Sequence, residues 1–263
     1  HGLALHVFQP GFQFFQGGKA QPVLHFLLRC GGQGGDGDGQ FADQRQRIAV
    51  FIFIDAQRPC GIQLFGRDPD IMAEMARRIC GENKGELALI DINMGCPAPK
   101  ITGNGEGSAL MKEPGVAARV IEAVVKASAL PVSVKFRKGW DSGHVNCVDF
   151  ARMAEASGAA FVTIHGRTRD QMYSGAADWE VIAEAKAALS IPVIGNGDVT
   201  GGSSAIAMRD YTGCDGIMIA RGALGNPYVF QEVKAAFAGV PYTPPSNAER
   251  LDLAIAHVRG CLL

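Results

Sequence analysis

The chain has 263 residues and a formal net charge of -1, enough for one large domain and too balanced to be attracted to nucleic acid as a whole, so any RNA contact needs a local basic patch. Its seven cysteines lack regular spacing, which favours a reducing, cytoplasmic setting over a disulfide framework. We find no metal-ligand cluster in the sequence and no apolar run of the roughly 20 residues that a membrane span needs. We therefore expect neither a metal site nor a membrane segment.

Residues 1–57 do not show the pattern of a regular domain. The glycine-rich run over residues 31–39 lacks the Gly-Lys-Ser/Thr of a phosphate loop, so a flexible linker is the preferred interpretation. Residues 48–54 are apolar enough to form a buried strand. Because the chain begins with His1 rather than Met, we expect a fragment.

Short apolar strands alternate with helices over residues 58–240. Asp68 and Pro69 signal the start of a helix with Ile71, Met72, Met75 and Ile79 on one face. Strands are predicted at 60–66, 87–90, 131–136, 160–165, 192–194 and 216–219, and later helices from 114 and over 144–157, 178–189, 201–211 and 227–238. Strands separated by helices indicate parallel pairing through βαβ crossovers.

Polar residues follow nearly every predicted strand, from Gln63 to Arg221. Many strands that supply one site are typical of the C-terminal mouth of a TIM barrel, whereas an open sheet uses mainly its switch point. We therefore predict an α/β fold of the TIM (β/α)8-barrel type over residues 58–240. Three prolines after residue 240 indicate a linker, and Leu251, Ile255 and Val258 begin a helix, so residues 241–263 are predicted to be a linker and the start of a helix.

Two segments at the last strand ends are candidate phosphate sites, which in such barrels follow the last two strands. They are Asn196-Gly197-Asp198 and Ala220-Arg221-Gly222, where glycines leave room for backbone N–H contacts and Arg221 adds a charged donor. An ordinary Asn-Gly turn is the alternative. No GxGxxG follows a strand, so a Rossmann dinucleotide site is unsupported.

Two further side chains can face the mouth of the barrel. Lys135 follows Val132-Ser133-Val134 and can stabilise negative charge on a reduced cofactor ring, although a solvated surface lysine is the alternative. His165 ends the strand at 160–165 and can hold phosphate or flavin, or can be a buried core histidine.

The most specific motif runs through Asp91-Ile92-Asn93-Met94-Gly95-Cys96-Pro97, at the end of the strand predicted at 87–90, with Gly107-Ser108 downstream. A free cysteine is usually a small buried hydrophobe, but the crowding of Asn, Gly, Cys and Pro at a strand end indicates a rigidly aimed thiol. This stretch resembles the tRNA-dihydrouridine synthases, a family of flavoenzymes. The resemblance extends from about Arg58 to the C-terminus.

The resemblance implies an activity and a set of site residues. Cys96 matches the catalytic cysteine, which protonates a uridine of tRNA during its NADPH-dependent reduction to 5,6-dihydrouridine, and Asn93 lies beside the target base. FMN is held by Gln63, Lys135 and His165, and its phosphate by the segments matching Asn196, Gly197 and Asp198 and Ala220 and Arg221. The target base has to be flipped out of the RNA.

Two departures from the family are also implied. The family's first strand ends in a Pro-Met-Ala-Gly segment beside the flavin, and no such segment occurs in residues 1–57. We therefore expect the head to be foreign or misread sequence joined near Gln57 and the barrel to be incomplete at its N-terminal strands. Residues 241–263 are expected to be the truncated start of the family's C-terminal helical RNA-binding domain, most of which is missing. The oligomeric state and the modified tRNA position are left open.

Four basic residues, Arg137, Lys138, Arg167 and Arg169, follow adjacent strands and are predicted to form an exposed rim for RNA phosphates, with an ordinary solvated surface as the alternative. Arg137 and Arg167 are the candidate substrate-binding members. Two other functions stay open: a small-molecule flavin oxidoreductase of the dihydroorotate dehydrogenase type, and an inactive or non-enzymatic fragment.

Overall fold

The computed structural model describes residues 60–83, 85 and 87–262, together with three short strands near the N-terminus. Those strands are β1 (His6–Phe8), β2 (Phe15–Gln16) and β3 (Lys19–Ala20). The linker predicted at 31–39 and the strand predicted at 48–54 lie outside the described residues.

The main body alternates strands and helices as the sequence predicts. The strands are β4 (Cys60–Leu64), β5 (Leu87–Met94), β6 (Val132–Gly139), β7 (Phe161–Thr168), β8 (Val193–Asn196) and β9 (Gly216–Met218). The helices are α1 (Pro69–Glu82), α2 (Pro99–Thr102), α3 (Pro114–Ala127), α4 (Cys147–Ala156), α5 (Glu180–Ala188), α6 (Gly202–Thr212), α7 (Val229–Ala238) and α8 (Asn247–Leu262), with 3₁₀ turns at Gly107–Lys112 and Arg221–Ala223.

Strands β4 to β9 are parallel and pair in chain order, so each crossover joins neighbouring strands. Over the described residues the six strands curl into half of a barrel, which confirms the α/β, TIM-barrel-type prediction. β1 pairs with β4 in the antiparallel direction over three residue pairs. Among the described residues, β9 pairs only with β8, which leaves the sheet open at that edge.

Helix α1 begins where the sequence predicts. The Asp68 carboxylate accepts hydrogen bonds from the backbone N–H groups of Asp70 and Ile71 at 3.0 and 3.1 Å, and Pro69 is the first helical residue, so two N–H groups without helical partners are satisfied. Met72, Met75 and Ile79 are buried, but Ile71 is 53% exposed. The prediction for Ile71 is wrong because the apolar stripe follows positions 72, 75, 76 and 79, one residue away from it.

Strand β5 is longer than predicted, and its extension carries the site. The sequence indicates a strand at 87–90, whereas β5 continues to Met94. Successive side chains of a strand point to opposite faces, so Leu89, Asp91 and Asn93 share the inner face of the half-barrel. The polar residues Asp91 and Asn93 are therefore held on a rigid strand rather than on a loop.

The two faces of the sheet differ in character. The outer face packs on the helices in one large apolar core, whereas the inner face has only a small apolar cluster formed by Leu89, Phe161, Ile194 and Met218. Farther along the same strands, toward their C-terminal ends, the inner face becomes polar, with Gln63, Asp91, Asn93, Ser133, Lys135, Arg137, Thr163, His165 and Asn196 at alternating positions. This polar upper half of the inner face is where the candidate site lies.

Candidate functional site

A cavity of about 620 Å³ opens at the C-terminal ends of the parallel strands. We call it the mouth cavity. The structure brings eleven of the twelve predicted site residues to its lining: Gln63, Asn93, Cys96, Lys135, Arg137, His165, Asn196, Gly197, Asp198, Ala220 and Arg221. Arg167 is the exception, since it does not line the cavity.

The backbone of Cys96 is held by the downstream Gly-Ser pair. The carbonyl oxygen of Cys96 accepts hydrogen bonds from the Ser108 backbone N–H at 3.1 Å and from Ser108 Oγ at 2.9 Å. Gly107 has φ +58, and a Cβ at this position would lie 2.8 Å from the same carbonyl oxygen. Only glycine combines this left-handed conformation with such a close approach, so the Gly-Ser pair has a structural reason that the sequence motif alone does not give.

Asn93 holds the other side of the same turn. Its Oδ1 accepts hydrogen bonds from the backbone N–H groups of Gly95 and Cys96, both at 3.0 Å. Its Nδ2 donates to Gln63 Oε1 at 2.8 Å. Gln63 is 1% exposed and in turn donates through Nε2 to Asp91, and Ser133 Oγ donates to the second oxygen of Asp91 at 2.6 Å. The turn that carries Cys96 is thus tied to three neighbouring strands.

Asp91 is buried beneath the mouth cavity, and the half-buried Lys135 lines it. Burial raises the pKa of Asp91 to about 6, although hydrogen bonds from Ser133 and Gln63 and the charge of Lys135 oppose the shift. Burial also lowers the pKa of Lys135 to about 8; the charge of Arg137 adds to this effect, whereas Asp91 and Cys96 oppose it. No hydrogen bond or ion pair joins Lys135 Nζ to another described residue, so its ammonium group is available to a ligand in the cavity.

His165 is buried among cations. Burial, followed by the charges of Lys135, Arg137, Arg167 and Arg221, lowers its pKa to about 2. Its Nε2 lies 3.5 Å from an Arg167 nitrogen. The imidazole is therefore neutral at any working pH, and it offers a ligand a dipolar contact rather than a charge.

The two candidate phosphate segments pack closely against the protein itself. A Cβ on Gly197, which has φ +133, would lie 2.5 Å from Ala177 Cβ, and one on Gly222 would lie 2.4 Å from the Val199 carbonyl oxygen. Asn196 Nδ2 donates to the Met218 carbonyl oxygen at 2.9 Å, which ties β8 to β9. Glycine is required at these positions for packing, independently of any phosphate.

Arg221 is the cation best placed to meet a phosphate. Its side chain is 51% exposed and lies 3.6 Å from the Asp198 carboxylate. The guanidinium carbon lies 4.5 Å from the centre of the Tyr173 ring. The contact with Asp198 is long and partly solvated, so it contributes little and leaves the guanidinium group able to bind an anion.

The carboxylate of Asp198 is already engaged by the protein. It accepts hydrogen bonds from Arg167 at 2.7 and 2.8 Å and from the Ala177 backbone N–H at 2.7 Å. Burial alone would raise the pKa of Asp198, but these hydrogen bonds and the charges of Arg167 and Arg221 outweigh it, and the net pKa lies below its ordinary value. Any phosphate contact at this position falls to the backbone rather than to the carboxylate.

The predicted basic rim is wrong for Arg137 and Arg167. Their exposed fractions are 3% and 2%. Arg137 donates to the carbonyl oxygens of Gly95, Thr168 and Met172 at 2.8 to 2.9 Å. Arg167 donates to the carbonyl oxygens of Ser174 and Gly175 as well as to Asp198. Both guanidinium groups are occupied by the loop that follows β7, which explains why they are buried.

Three residues at or beneath the cavity are missed by the sequence prediction. Asp91 and Ser133 share the inner face with Asn93 and Lys135, and the alternation of residue types along β5 and β6 is the signal that could have found them. Tyr173 lies on the loop after β7, where no periodic pattern marks it. Its ring contacts the guanidinium groups of Arg221 and, at 5.8 Å, Arg137.

Other features of the described residues bear on alternative functions. No helix in that part of the chain is long and apolar enough to cross a membrane. No group of three or more potential metal ligands is found there. Cys80, Cys96, Cys147 and Cys214 are free thiols.

Comparison with known proteins identifies the family. The family model described as "Dihydrouridine synthase (Dus)" matches residues 38–261, beginning earlier than the boundary near Arg58 that the sequence indicates. A probable tRNA-dihydrouridine synthase 1 of Synechocystis is 45% identical over 77% of this chain and 57% of that protein. Probable tRNA-dihydrouridine synthases of Rhodobacter capsulatus and Mycobacterium tuberculosis are each 45% identical to this chain over 80% of its length. The two matches cover 64% and 54% of the relatives' own lengths.

The chain thus spans roughly half to two thirds of the length of these relatives. Among solved structures, an isomerase from Streptomyces coelicolor is 18% identical, with a TM-score of 0.38 over 56% of this chain and 32% of that one, a likeness too low to carry an argument. The match of the family model over most of the sequence, together with the Asn93 to Cys96 turn, shows that the chain belongs to the dihydrouridine synthase family.

Proposed function

We propose that this chain reduces uridine in tRNA to 5,6-dihydrouridine, with FMN as bound cofactor and NADPH as reductant. The observation that carries the proposal is the Cys96 turn. The thiol lines the mouth cavity, and its backbone is fixed by Asn93 on one side and Ser108 on the other. A thiol carried on a backbone held this firmly suits a proton donor, whose efficiency depends on position.

The residues of the mouth cavity fit a flavin mononucleotide. The cavity volume of about 620 Å³ lies within the range of about 300 to 1,000 Å³ that is common for ligand sites. The groups that face it are mostly donors, including the ammonium of Lys135 and the half-exposed guanidinium of Arg221. A flavin ring presents carbonyl oxygens and ring nitrogens, and its phosphate is an anion, so its acceptors match these donors.

Lys135, Gln63 and His165 would hold the ring, and Arg221 with the backbone of the two phosphate segments would hold the phosphate. The chemistry that a reduced flavin would supply there is a hydride for one carbon of the uracil double bond. Cys96 delivers the proton to the other carbon: the S–H bond breaks as the C–H bond forms, and the thiolate then recovers a proton from water. Cys96 must therefore enter the reaction as a thiol.

The substrate has to enter the mouth cavity as an extruded base, since Cys96 lies at the cavity and not on an outer face. The burial of Arg137 and Arg167 removes them from direct contact with RNA phosphates in this structure. We propose instead that Arg137 supports the site indirectly, through its hydrogen bond to the carbonyl oxygen of Gly95 beside Cys96.

The test is Cys96→Ala, with Cys80→Ala as the matched control because Cys80 is also a half-buried free thiol. Uridine reduction in tRNA should fall by about 100-fold or more, the usual contribution of a positioned proton donor, while FMN binding, followed by visible absorption, is retained. Cys80→Ala should keep both. Full activity of Cys96→Ala would refute the mechanism, and joint loss of flavin and activity would make Cys96 a structural residue.

The unaltered chain decides between the remaining alternatives. Reduction of free pyrimidines with no action on tRNA would favour a dihydroorotate-type oxidoreductase. Absence of bound flavin after titration with FMN would favour a non-enzymatic fragment.

A further inference from the structure

We propose that Asp91 is a positioning residue, whose carboxylate orients the amides of Gln63 and Asn93 in turn and so holds the backbone of Cys96. We call the hydrogen-bonded series Asp91, Gln63, Asn93 and the Cys96 backbone N–H the Asp91 relay. The inference rests on the proposed function in one respect only, namely that Cys96 is the residue whose placement matters.

The direction of each hydrogen bond in the relay is set by chemistry. An ionised carboxylate accepts and cannot donate, so Gln63 has to present Nε2 to Asp91. Its Oε1 then faces Asn93 and has to meet a donor, which is Asn93 Nδ2 at 2.8 Å. Asn93 is left with Oδ1 toward the turn, where backbone N–H groups require an acceptor.

The two ends of the relay impose the same orientation independently. The carboxylate of Asp91 fixes the orientation of the two amides at one end of the relay, and the N–H groups of Gly95 and Cys96 fix it at the other end. Water has little access to substitute for a lost bond at the lower end, since Asp91 is 6% exposed and Gln63 is 1% exposed. A mismatch in one bond therefore has to be carried as a buried contact between two acceptors or two donors, which is costly.

The relay predicts that the damage caused by Asn93→Asp is suppressed by a second substitution, Asp91→Asn. In Asn93→Asp, a carboxylate faces Gln63 Oε1, and turning the Gln63 amide only transfers the clash to Asp91. In the double variant Asp91→Asn/Asn93→Asp, the turned Gln63 donates to the new carboxylate at position 93 and accepts from the new amide at position 91, whose oxygen still accepts from Ser133 Oγ. All bonds are then satisfied, and the total charge equals that of the unaltered chain.

A double-mutant cycle tests this at pH 8, with denaturant unfolding and amide hydrogen exchange of Gly95 and Cys96 as the two measurements. We expect Asn93→Asp to raise the unfolding equilibrium constant and the exchange rate of Cys96 by at least about tenfold. Asp91→Asn alone should change both by about threefold or less, because its oxygen can still accept from Gln63. The double variant should return both to within about threefold of the unaltered chain.

Two further variants separate positioning from general stability. Asp91→Leu keeps the branching at Cγ, although its methyl groups are larger than carboxylate oxygens, and it offers no acceptor. Exchange of the Cys96 amide should therefore accelerate by at least about tenfold, whereas Asp91→Asn should not show this change. Val124→Ala, a fully buried site on α3, should lower stability while leaving local exchange at Cys96 unchanged.

The proposal would be overturned if Asn93→Asp raised the unfolding constant and the Cys96 exchange rate by the same factor whether a carboxylate or an amide stands at position 91. The two substitutions would then act independently, with multiplicative effects. If Asn93→Asp alone does not fold, recovery of a folded double variant supports the relay and an unfolded double variant overturns it. Flavin binding and dihydrouridine formation by the unaltered chain are measured separately. Their absence would refute the proposed function without affecting the cycle, and a multiplicative cycle would leave the proposed function intact.

Discussion

His165 shows how one residue makes the candidate site sensitive to acid. Its pKa is lowered to about 2 by burial and by four surrounding cations, whereas an imidazole in the unfolded chain titrates near 6.5. The folded state therefore binds fewer protons than the unfolded state below about pH 6.5. Stability is full above that pH and is lost as the pH falls, by about 1.4 kcal/mol for each pH unit.

We expect the unaltered chain to lose about 2 kcal/mol of stability between about pH 6.5 and pH 5 through this histidine. Denaturant unfolding across the interval checks it, with His165→Gln as the comparison because glutamine does not titrate. Asp91 acts in the opposite direction, since its raised pKa of about 6 makes its contribution favourable as pH falls, but it is present in both proteins and cancels. Parallel pH profiles would contradict the buried, cation-rich setting of His165.

At the scale of elements, the loop after β7 depends on two arginines that lie beneath it. Arg167 is paired with Asp198 and with the carbonyl oxygens of Ser174 and Gly175. Removing Arg167 leaves partly buried carbonyl oxygens without a donor and weakens the pairing of Asp198, whose side chain is 33% exposed, at a cost of about 1 to 3 kcal/mol for each group left without its partner. Arg167→Met should therefore destabilise strongly and release the loop to proteolysis.

The matched control is Arg77→Met on α1. Arg77 makes an i,i+3 ion pair with Glu74, and both side chains are more than half exposed, so the expected cost is about 1 kcal/mol or less. Denaturant unfolding and limited proteolysis measure the two variants side by side. Equal, small effects would show that Arg167 is not structural and would restore the prediction that it contacts RNA.

These elements also show what a sequence can and cannot provide. The order of strands and helices through α7 follows from apolar periodicity, which residue types record directly. The extension of β5 is not predicted because Asp91 and Asn93 face a polar interior. Polar residues at these positions look like the turn that ends a strand, although they alternate with the apolar Ile92. The burial of Arg137 and Arg167 escapes it because their acceptors are mainly backbone carbonyls, which leave no trace in residue types.

The same reasoning applies to the site. The placement of Cys96, Asn93 and the two candidate phosphate segments at the mouth cavity is predictable because a dense motif and the strand ends mark them, whereas their roles stay predictions. Tyr173 is not, since its position depends on how the loop is folded by Arg137. Gly107 is recognisable as part of a motif, but its reason, a Cβ that would lie 2.8 Å from the Cys96 carbonyl oxygen, requires coordinates.

At the scale of the whole molecule, the open sheet has consequences for solution behaviour. Among the described residues, β9 has no partner beyond β8, and β1 covers only three residues of β4. Unpaired strand edges are templates for association. We therefore expect concentration-dependent self-association, measured by sedimentation velocity over a range of concentrations, and a low thermal midpoint. A monomer with a cooperative melt at high temperature would contradict this expectation.

The saturation of Asn93 limits what the site can select. Its oxygen already accepts from two backbone N–H groups, and one of its two amide hydrogens is given to Gln63. Only one N–H is left for a nucleobase. If the target base meets Asn93 as proposed, it must offer a carbonyl oxygen and not an amino group there, so a uracil carbonyl would be accepted and the amino group of cytosine would be repelled. The hydrogen bonds that keep Cys96 in place would in this way also determine which pyrimidine base of the RNA the site accepts.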